Sequence, residues 1–352
     1  MMRSTRRTTA LLALAFAAPL ALTGATATSA FAEPTSTPGG PYVQCGLQPI
    51  KLNGMHSNDE LLATVHRLAE QRPDVVEVAT AGYSVEGREI PVVTVGSGPR
   101  TLLVLTQQHG DEPIGTEAAL QLLAKVSGNG PAAAALREEV TLVVVPRVNP
   151  DGWERYHADD LGSVIDPRRN SNNIDLNRTH GPANTTDLAL APESAAVHAV
   201  IDAVEPDVIL DYHHQVTYAQ PDGSMATMSL LWPTHPAVAS DVVDEAKRAT
   251  AVIAEAVDAH GHATVTKYPV SNTATMATNG FAMEGYPTVL VEQRGQQEVG
   301  QKSQGALTRE ALISMEATVA ALADGSFDGV DPADADELPP RGERVAAACP
   351  LG

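Results

Sequence analysis

The sequence predicts an α/β protein in which helices cover a largely parallel sheet. Short runs rich in leucine and β-branched residues alternate along the chain with longer segments whose apolar residues recur at helical spacing. Strands that alternate with helices form layered domains of this kind. The chain has 352 residues, 43% of them apolar, which is enough for a real core, and no internal repeat or change in composition marks a second domain.

The first 32 residues have the three parts of a secretion signal. Three arginines lie within the first seven residues, an apolar stretch covers residues 10–22, and residues 30–32 read Ala-Phe-Ala, a small-residue cleavage site. The apolar stretch is too short to span a bilayer, and no later segment is a candidate to do so. We therefore expect export and release, with a mature chain that starts near Glu33. The pair Arg6-Arg7 leaves a twin-arginine route open.

Net charge limits the classes of partner. Removal of residues 1–32 takes away three arginines and no acids, so the formal charge changes from −20 to −23. This excess of negative charge opposes binding to nucleic acid and to anionic membranes. Because an acidic excess is ordinarily a solvated surface, it says little about the substrate, and we expect a monomer.

The chain has two cysteines, Cys45 near the mature N-terminus and Cys349 near the C-terminus. In an oxidising exported setting an even count permits a disulfide, which here would tie the two ends together. Two buried free thiols are the alternative.

The first elements follow a lead at residues 33–57 that contains Pro, Gly and Ser. A helix is predicted where an Asn-Asp start precedes leucine and valine residues at helical spacing. A hairpin is predicted where two β-rich runs flank the turn-like residues 85–88. Later in the chain, short apolar runs typical of strands alternate with segments whose apolar residues recur at helical spacing. Helices are predicted at 58–71, 114–126, 193–203, 236–259, 274–285 and 306–323, and strands at 75–83, 90–95, 101–106, 140–145, 208–212, 263–268 and 288–292.

Two segments lack such periodicity. Residues 149–152 read Asn-Pro-Asp-Gly, which is strong turn chemistry, and the polar stretch from there to about residue 192 is too long for an ordinary connection. Since it contains Arg168, Asn177 and Arg178, we interpret it as a functional loop. Residues 324–352 form an acidic, Pro-rich tail.

Potential metal ligands follow buried strands. His109 and Glu112 come after a leucine-rich run, and imidazole nitrogen and carboxylate oxygen are good zinc donors. A catalytic zinc commonly takes three protein ligands, so a third must come from elsewhere. His213 and Glu292 also follow apolar runs, and open α/β sheets place their sites at the carboxyl ends of strands. Each residue alone could be an ordinary loop or strand-end side chain, but the set together favours a site.

These residues resemble the zinc metallocarboxypeptidases related to pancreatic carboxypeptidases A and B. The resemblance rests on five motifs in the family's order: His-Gly-Asp-Glu at 109–112, Asn-Pro-Asp-Gly at 149–152, the Arg- and Asn-rich run at 168–178, Leu-Asp-Tyr-His at 210–213 and Val-Leu-Val-Glu at 289–292. It spans residues 58–323, which we take as the catalytic domain. It implies a three-layer α/β/α sandwich around a mixed, mostly parallel eight-stranded sheet, and one zinc ion held by His109, Glu112 and His213.

The remaining roles follow partly from chemistry and partly from the resemblance. Zinc would polarise the scissile carbonyl and acidify a water, and Glu292 would accept the proton and pass it to the leaving amine. Arg168 would stabilise the oxyanion. The resemblance assigns Asn177 and Arg178 to the terminal carboxylate of a peptide substrate, and Asp175 to the orientation of His109.

The chain also departs from the family. The position of the family's mobile tyrosine is Val270 here, and the nearest tyrosine is Tyr268, to which we assign no role. Asp111 stands where pancreatic forms have an arginine that binds extended peptides. The motif with Asp111 is more similar to bacterial branches that cut cell-wall peptides or small acylated amino acids.

Three functions are consistent with this pattern. The first is a secreted zinc exopeptidase that removes a C-terminal amino acid. The second is a zinc amidase that acts on peptidoglycan stem peptides and releases a diamino acid. The third is a non-catalytic binding protein on the same fold, which we expect would have lost a ligand or the glutamate.

Overall fold

The computed structural model describes residues 52–157, 165–261, 263–294 and 304–345. The expected signal at 1–32 and the pair Cys45 and Cys349 lie outside these residues, so cleavage and the disulfide stay predictions. None of the helices in the described ranges combines the length and the apolar composition needed to cross a bilayer.

The described chain forms eight α-helices and ten strands, with short 3-10 turns between them. The helices are α1 (Asn58–Gln71), α2 (Ile114–Val126), α3 (Pro131–Glu139), α4 (Pro150–His157), α5 (Pro192–Val204), α6 (Ser240–Ala259), α7 (Ala277–Met283) and α8 (Gln304–Asp324). The strands are β1 (Val76–Tyr83), β2 (Glu89–Val95), β3 (Arg100–Thr106), β4 (Val140–Val145), β5 (Val208–Gln215), β6 (Tyr218–Ala219), β7 (Met228–Leu231), β8 (Val265–Lys267), β9 (Thr288–Arg294) and β10 (Glu343–Arg344).

Eight of the strands form one mixed sheet in the order β1-β2-β4-β3-β5-β9-β7-β8. Its centre is parallel, because β3 pairs in parallel with both β4 and β5, and β5 with β9. Antiparallel pairs flank this centre, β2 with β4 on one side and β7 with β9 on the other. The fold is therefore the mixed, mostly parallel eight-stranded sheet that the resemblance implied.

Apolar side chains leave both faces of the sheet, as the alternation along β3 shows. Leu102 and Val104 pack with buried residues of α2, α6 and α8, whereas Leu103 and Leu105 pack with those of α5 and α7. A strand buried on both faces reads as a continuous apolar run, which is why periodicity alone did not separate the two faces. The helices thus cover the sheet on both sides, as three layers.

Several elements differ from the sequence prediction. Helix α3 and strand β7 were not predicted. The prediction of a turn at residues 149–152 is wrong, since Pro150 is the first residue of α4 and the Asn149 side chain accepts a hydrogen bond from the Gly152 N–H at 2.8 Å. Asn before a first-turn Pro is a helix start, because the capping side chain and the fixed proline φ both favour the first turn. Strands β5 and β9 each run past their predicted ends, through paired residues as far as Gln215 and Arg294.

Candidate metal centre

The candidate site lies at the carboxyl ends of three adjacent parallel strands, β3, β5 and β9. His109 and Glu112 are in the loop after β3, while His213 and Glu292 are register partners on β5 and β9. Neighbouring strands lie about 4.8 Å apart, so register partners stand side by side on one face of the sheet. The parallel centre of the sheet therefore brings these four side chains to one edge.

The backbone before His109 is held in an unusual conformation. Gln107 has φ of 57°, in the left-handed region that non-glycine residues rarely adopt. Its buried side chain donates to the Gly110 carbonyl at 2.7 Å and accepts from Arg147 Nε at 2.7 Å. Gly110 itself passes so close to α4 that an added Cβ would lie 2.2 Å from the Gly152 carbonyl carbon. Strain compensated by buried hydrogen bonds is typical of functional loops, and here it fixes the direction of His109.

His109, Glu112 and His213 form a buried group whose ligand atoms all lie within 4.8 Å of one another. The Nδ1 atoms of the two histidines are 2.9 Å apart, and each is 2.9 Å from Glu112 Oε2. These are the three predicted zinc ligands, and the structure brings all of them together.

The outer nitrogens of both histidines face carboxylates. His109 Nε2 lies 3.0 Å from Asp175 Oδ1, and His213 Nε2 lies 2.9 Å from Asp211 Oδ2. A carboxylate accepts a hydrogen bond, so each Nε2 carries the proton in the neutral ring and each Nδ1 presents a lone pair. Two lone pairs and the Glu112 carboxylate then converge in a buried space. Such an arrangement repels itself unless a cation is shared, and His₂Glu is a donor set of catalytic zinc sites.

Local charges also favour a cation. Burial on its own would lower the pKa of His213, but Asp211 and Glu112 outweigh it and raise that pKa well above its usual value. Burial likewise opposes ionisation of Glu112, yet His109 and His213 hold its pKa well below the usual value. The charges around the group thus favour a cation in the interior, and its residues fit a zinc ion.

Arg168 connects two of the carboxylates around this group. It donates from Nη1 to Glu112 Oε1 at 3.1 Å and from Nη2 to Asp175 Oδ2 at 3.3 Å, with a third of its side chain exposed. A guanidinium has five N–H groups, so these contacts leave others for a substrate oxygen.

Glu292 stands beside His213 without a hydrogen-bond partner for its buried Oε2. Burial raises the pKa of Glu292 to about 7, and the nearby Glu112 adds to the rise, while His213 opposes it. A carboxylate poised near neutral pH is suited to accept and return a proton.

The two predicted carboxylate-binding residues are placed differently. Arg178 is exposed, and its guanidinium donates to the Asn177 carbonyl. Asn177 is 3% exposed, and its side-chain oxygen accepts from the Ala277 N–H at 2.7 Å while its nitrogen lies 3.2 Å from His213 Nε2. Because His213 Nε2 donates to Asp211, this pair of nitrogens is a close contact between two donors, and the role of Asn177 in substrate binding stays a prediction.

Sequence reasoning missed Asp211 and Gln108. Gln108 Nε2 donates to Asp211 Oδ2 at 2.8 Å, and Gln108 Oε1 lies 2.7 Å from His180 Nε2, so both support His213 from behind. The available signal was an aspartate inside the apolar run of β5, since a charged residue is rarely buried without a partner. Val270, in the family's tyrosine position, is 70% exposed.

Comparisons with known proteins agree with this geometry. The family model described as zinc carboxypeptidase matches residues 61–309. Carboxypeptidase D of Mus musculus is 32% identical over 157 residues, which are 42% of this chain and 11% of that protein. Carboxypeptidase M of Mus musculus is 28% identical over 153 residues, 40% of this chain and 34% of that protein. The matches thus span from about a tenth to a third of the length of these curated relatives.

Solved structures show the same fold at low identity. A metallo-carboxypeptidase from Burkholderia cenocepacia superposes with a TM-score of 0.61 at 18% identity, over 77% of this chain and 70% of that chain. A metallo-carboxypeptidase from Pseudomonas aeruginosa in complex with (2-guanidinoethylmercapto)succinic acid gives a TM-score of 0.56 at 21% identity, over 73% and 67% of the two chains.

Proposed function

The chain belongs to the zinc carboxypeptidase family, and we propose that it is a zinc-dependent hydrolase that removes the C-terminal amino acid from peptides. The observation that carries this proposal is the buried convergence of His109, Glu112 and His213 within 4.8 Å, with a carboxylate behind each histidine. Zinc bound there would polarise the scissile carbonyl and lower the pKa of a water. These three residues would hold one ion per chain.

Glu292 is proposed as the general base and then the general acid. Its Oε2 would accept a proton from the attacking water and deliver it to the nitrogen of the leaving amine. Its position supports this role, because it is the register partner of His213 and has no hydrogen-bond partner for its buried oxygen.

The arginines of the long loop are proposed to bind the substrate. Arg168, next to Glu112, would donate to the carbonyl oxygen as negative charge develops there. Arg178 is the last residue of a 3-10 turn that begins at Leu176, and its side chain is exposed. It would bind the terminal carboxylate through two parallel hydrogen bonds, assisted by Asn177. Such a clamp would select a free C-terminus over an internal bond.

We also propose that the protein is secreted after cleavage near residue 32. The Arg-rich start, short apolar stretch and Ala-Phe-Ala site of residues 1–32 support this proposal. Peptides outside the cell would then be the substrate class.

A mixed peptide library tests the proposed activity. We expect the zinc-loaded protein to shorten peptides by one residue at the C-terminus, and a chelator to stop the reaction. Cleavage at internal bonds, or full activity in metal-free protein, would contradict the proposal. Release of a diamino acid from stem peptides alone would identify peptidoglycan as the substrate, with the same zinc-dependent hydrolysis.

A further inference from the structure

Residues 339–345 return to the rim of the candidate active site. Lys267, the last residue of β8, donates its N–H to the Pro339 carbonyl at 2.7 Å, and the Arg341 N–H donates back to the Lys267 carbonyl at 3.0 Å. Beyond this, β10 pairs antiparallel with β6. The Pro-rich tail expected from composition is thus joined to two strands by backbone hydrogen bonds, although it lies past residue 309, where the family match ends.

Gly342 makes this close approach possible. A Cβ added at this position would lie 1.8 Å from the Ala219 carbonyl oxygen, far inside any contact distance. Only glycine has no Cβ, so the segment that passes from its contact with β8 to its contact with β6 requires glycine here. The neighbouring Arg341 is therefore held in a fixed place.

The Arg341 guanidinium lies between two tyrosine rings. Its central carbon is 3.7 Å from the centroid of Tyr218 and 4.3 Å from that of Tyr268. It also donates from Nη1 to Gln215 Oε1 at 2.9 Å. A cation within about 6 Å of a ring face is attracted to it, and a planar guanidinium stacks especially well.

This stack is next to the catalytic candidates. Gln215 follows His213 by two residues on β5, so both side chains leave the same face of the sheet. On β9, Gln215 pairs with Arg294 and His213 pairs with Glu292. Burial raises the pKa of the Tyr268 phenol and the charge of Glu292 adds to the rise, whereas Arg341 opposes it. The contacts of Tyr268 place it on the same face of the sheet as Glu292. Its N–H donates to the Leu230 carbonyl at 2.8 Å, and its side chain packs against the apolar cluster that contains Leu290, which precedes Glu292 by two residues on β9.

We propose that residues 339–345 complete the active site, with Arg341 as a positioning residue that holds Tyr268 beside Glu292, where the phenol contacts the peptide substrate. The substrate contact rests on the proposed carboxypeptidase function, whereas the positioning of Tyr268 does not. Arg341 acts through the Tyr268 ring, and its guanidinium has two further contacts, with Tyr218 and Gln215.

The positioning is tested first by structure, without any assay of activity. Crystal structures of zinc-loaded wild type and of the R341A variant are compared, with Arg344→Ala as the matched control, because Arg344 is an exposed arginine of the same segment. We expect the Tyr268 ring to leave its place beside Glu292 in R341A and to keep it in the control. A ring that stays in place in R341A would overturn the proposal, even if the wild type proved to have no peptidase activity.

The substrate contact is tested by a double-mutant cycle on kcat and KM. R341A and Y268A are each expected to lower kcat/KM by up to about 100-fold, the loss that a misplaced contact of this kind can cause, with zinc content unchanged. The double variant should be no worse than Y268A alone, since Arg341 has nothing left to position. R341K should recover little, because an ammonium lacks the planar fork. If the losses in kcat/KM multiply in the double variant, Arg341 does not act through Tyr268. If Y268A has the kcat/KM of the wild type, the phenol does not contact the substrate.

Discussion

Asp211 Oδ2 lies 2.9 Å from His213 Nε2, and the two side chains leave the same face of β5 two residues apart. With Asp175 behind His109, both histidines of the candidate centre are oriented by a carboxylate. Partners of this kind fix the tautomer and direction of a ligand and increase its basicity.

Asp211→Asn should therefore weaken zinc binding by about 10- to 100-fold, since a neutral amide orients the ring without the negative charge. Asp175→Asn should have a similar effect through His109. Competition with a chelator of known affinity measures the change, and Asp202→Asn, an exposed aspartate on α5, is the control. Unchanged affinity in both variants would show that the carboxylates do not support the ligands.

Glu292→Gln should keep the fold and the zinc but lower kcat by about 10²- to 10⁴-fold, because an amide cannot accept a proton. Steady-state kinetics and metal analysis on the same sample separate these two properties. Glu138→Gln, an exposed change on α3, should have no effect. A Glu292→Gln variant with nearly full turnover would require a different base.

The pH dependence follows from the raised pKa of Glu292, which burial brings to about 7. The base must be ionised to act, so kcat/KM should fall as the pH drops through this pKa. Bound zinc adds a nearby positive charge that favours the carboxylate, which puts the acid limb at or below about pH 7. A profile of kcat/KM against pH shows the limb. A limb well above pH 7 would contradict the assignment.

Arg178→Ala should raise KM by about 10- to 100-fold with a smaller change in kcat, because the clamp acts on bound substrate and transition state alike. Amidation of the substrate's C-terminus should lower the kcat/KM of the wild type far more than that of this variant, which has already lost the guanidinium that binds the carboxylate. Arg67→Ala, an exposed arginine on α1, is the control. Equal losses on amidation in both proteins would show that Arg178 does not read the terminus.

The sequence could predict the centre of the fold because each central strand is a short apolar run followed by a polar residue. His109 and Glu292 were found in this way, since the end of a buried run predicts where the chain reaches the sheet edge. The resemblance supplied His109, Glu112 and His213 as one ligand set, whereas the adjacency of β3, β5 and β9 that brings them together came from the structure.

Other parts depend on contacts that no local pattern contains. Strand β7 has four residues and is defined by its pairing with β8 and β9. The segment around Arg341 reads as a polar, Pro-rich tail, yet its place is set by Lys267 and by the close contact of Gly342 with Ala219. Composition describes the solvation of such a segment and carries no information on its partner. Helix α3, by contrast, begins with Pro131 before a run of alanines, so its local signal was present and was missed.

The most direct test of the account is a zinc titration of metal-free protein, with activity on a peptide that has a free C-terminus and bound metal measured together. In the wild type both should rise in parallel and reach a plateau at one zinc per chain, while His213→Ala should bind little zinc and stay inactive. Full activity before zinc is added, or a His213→Ala variant that keeps one tightly bound zinc, would contradict the central claim that His109, Glu112 and His213 hold the catalytic ion.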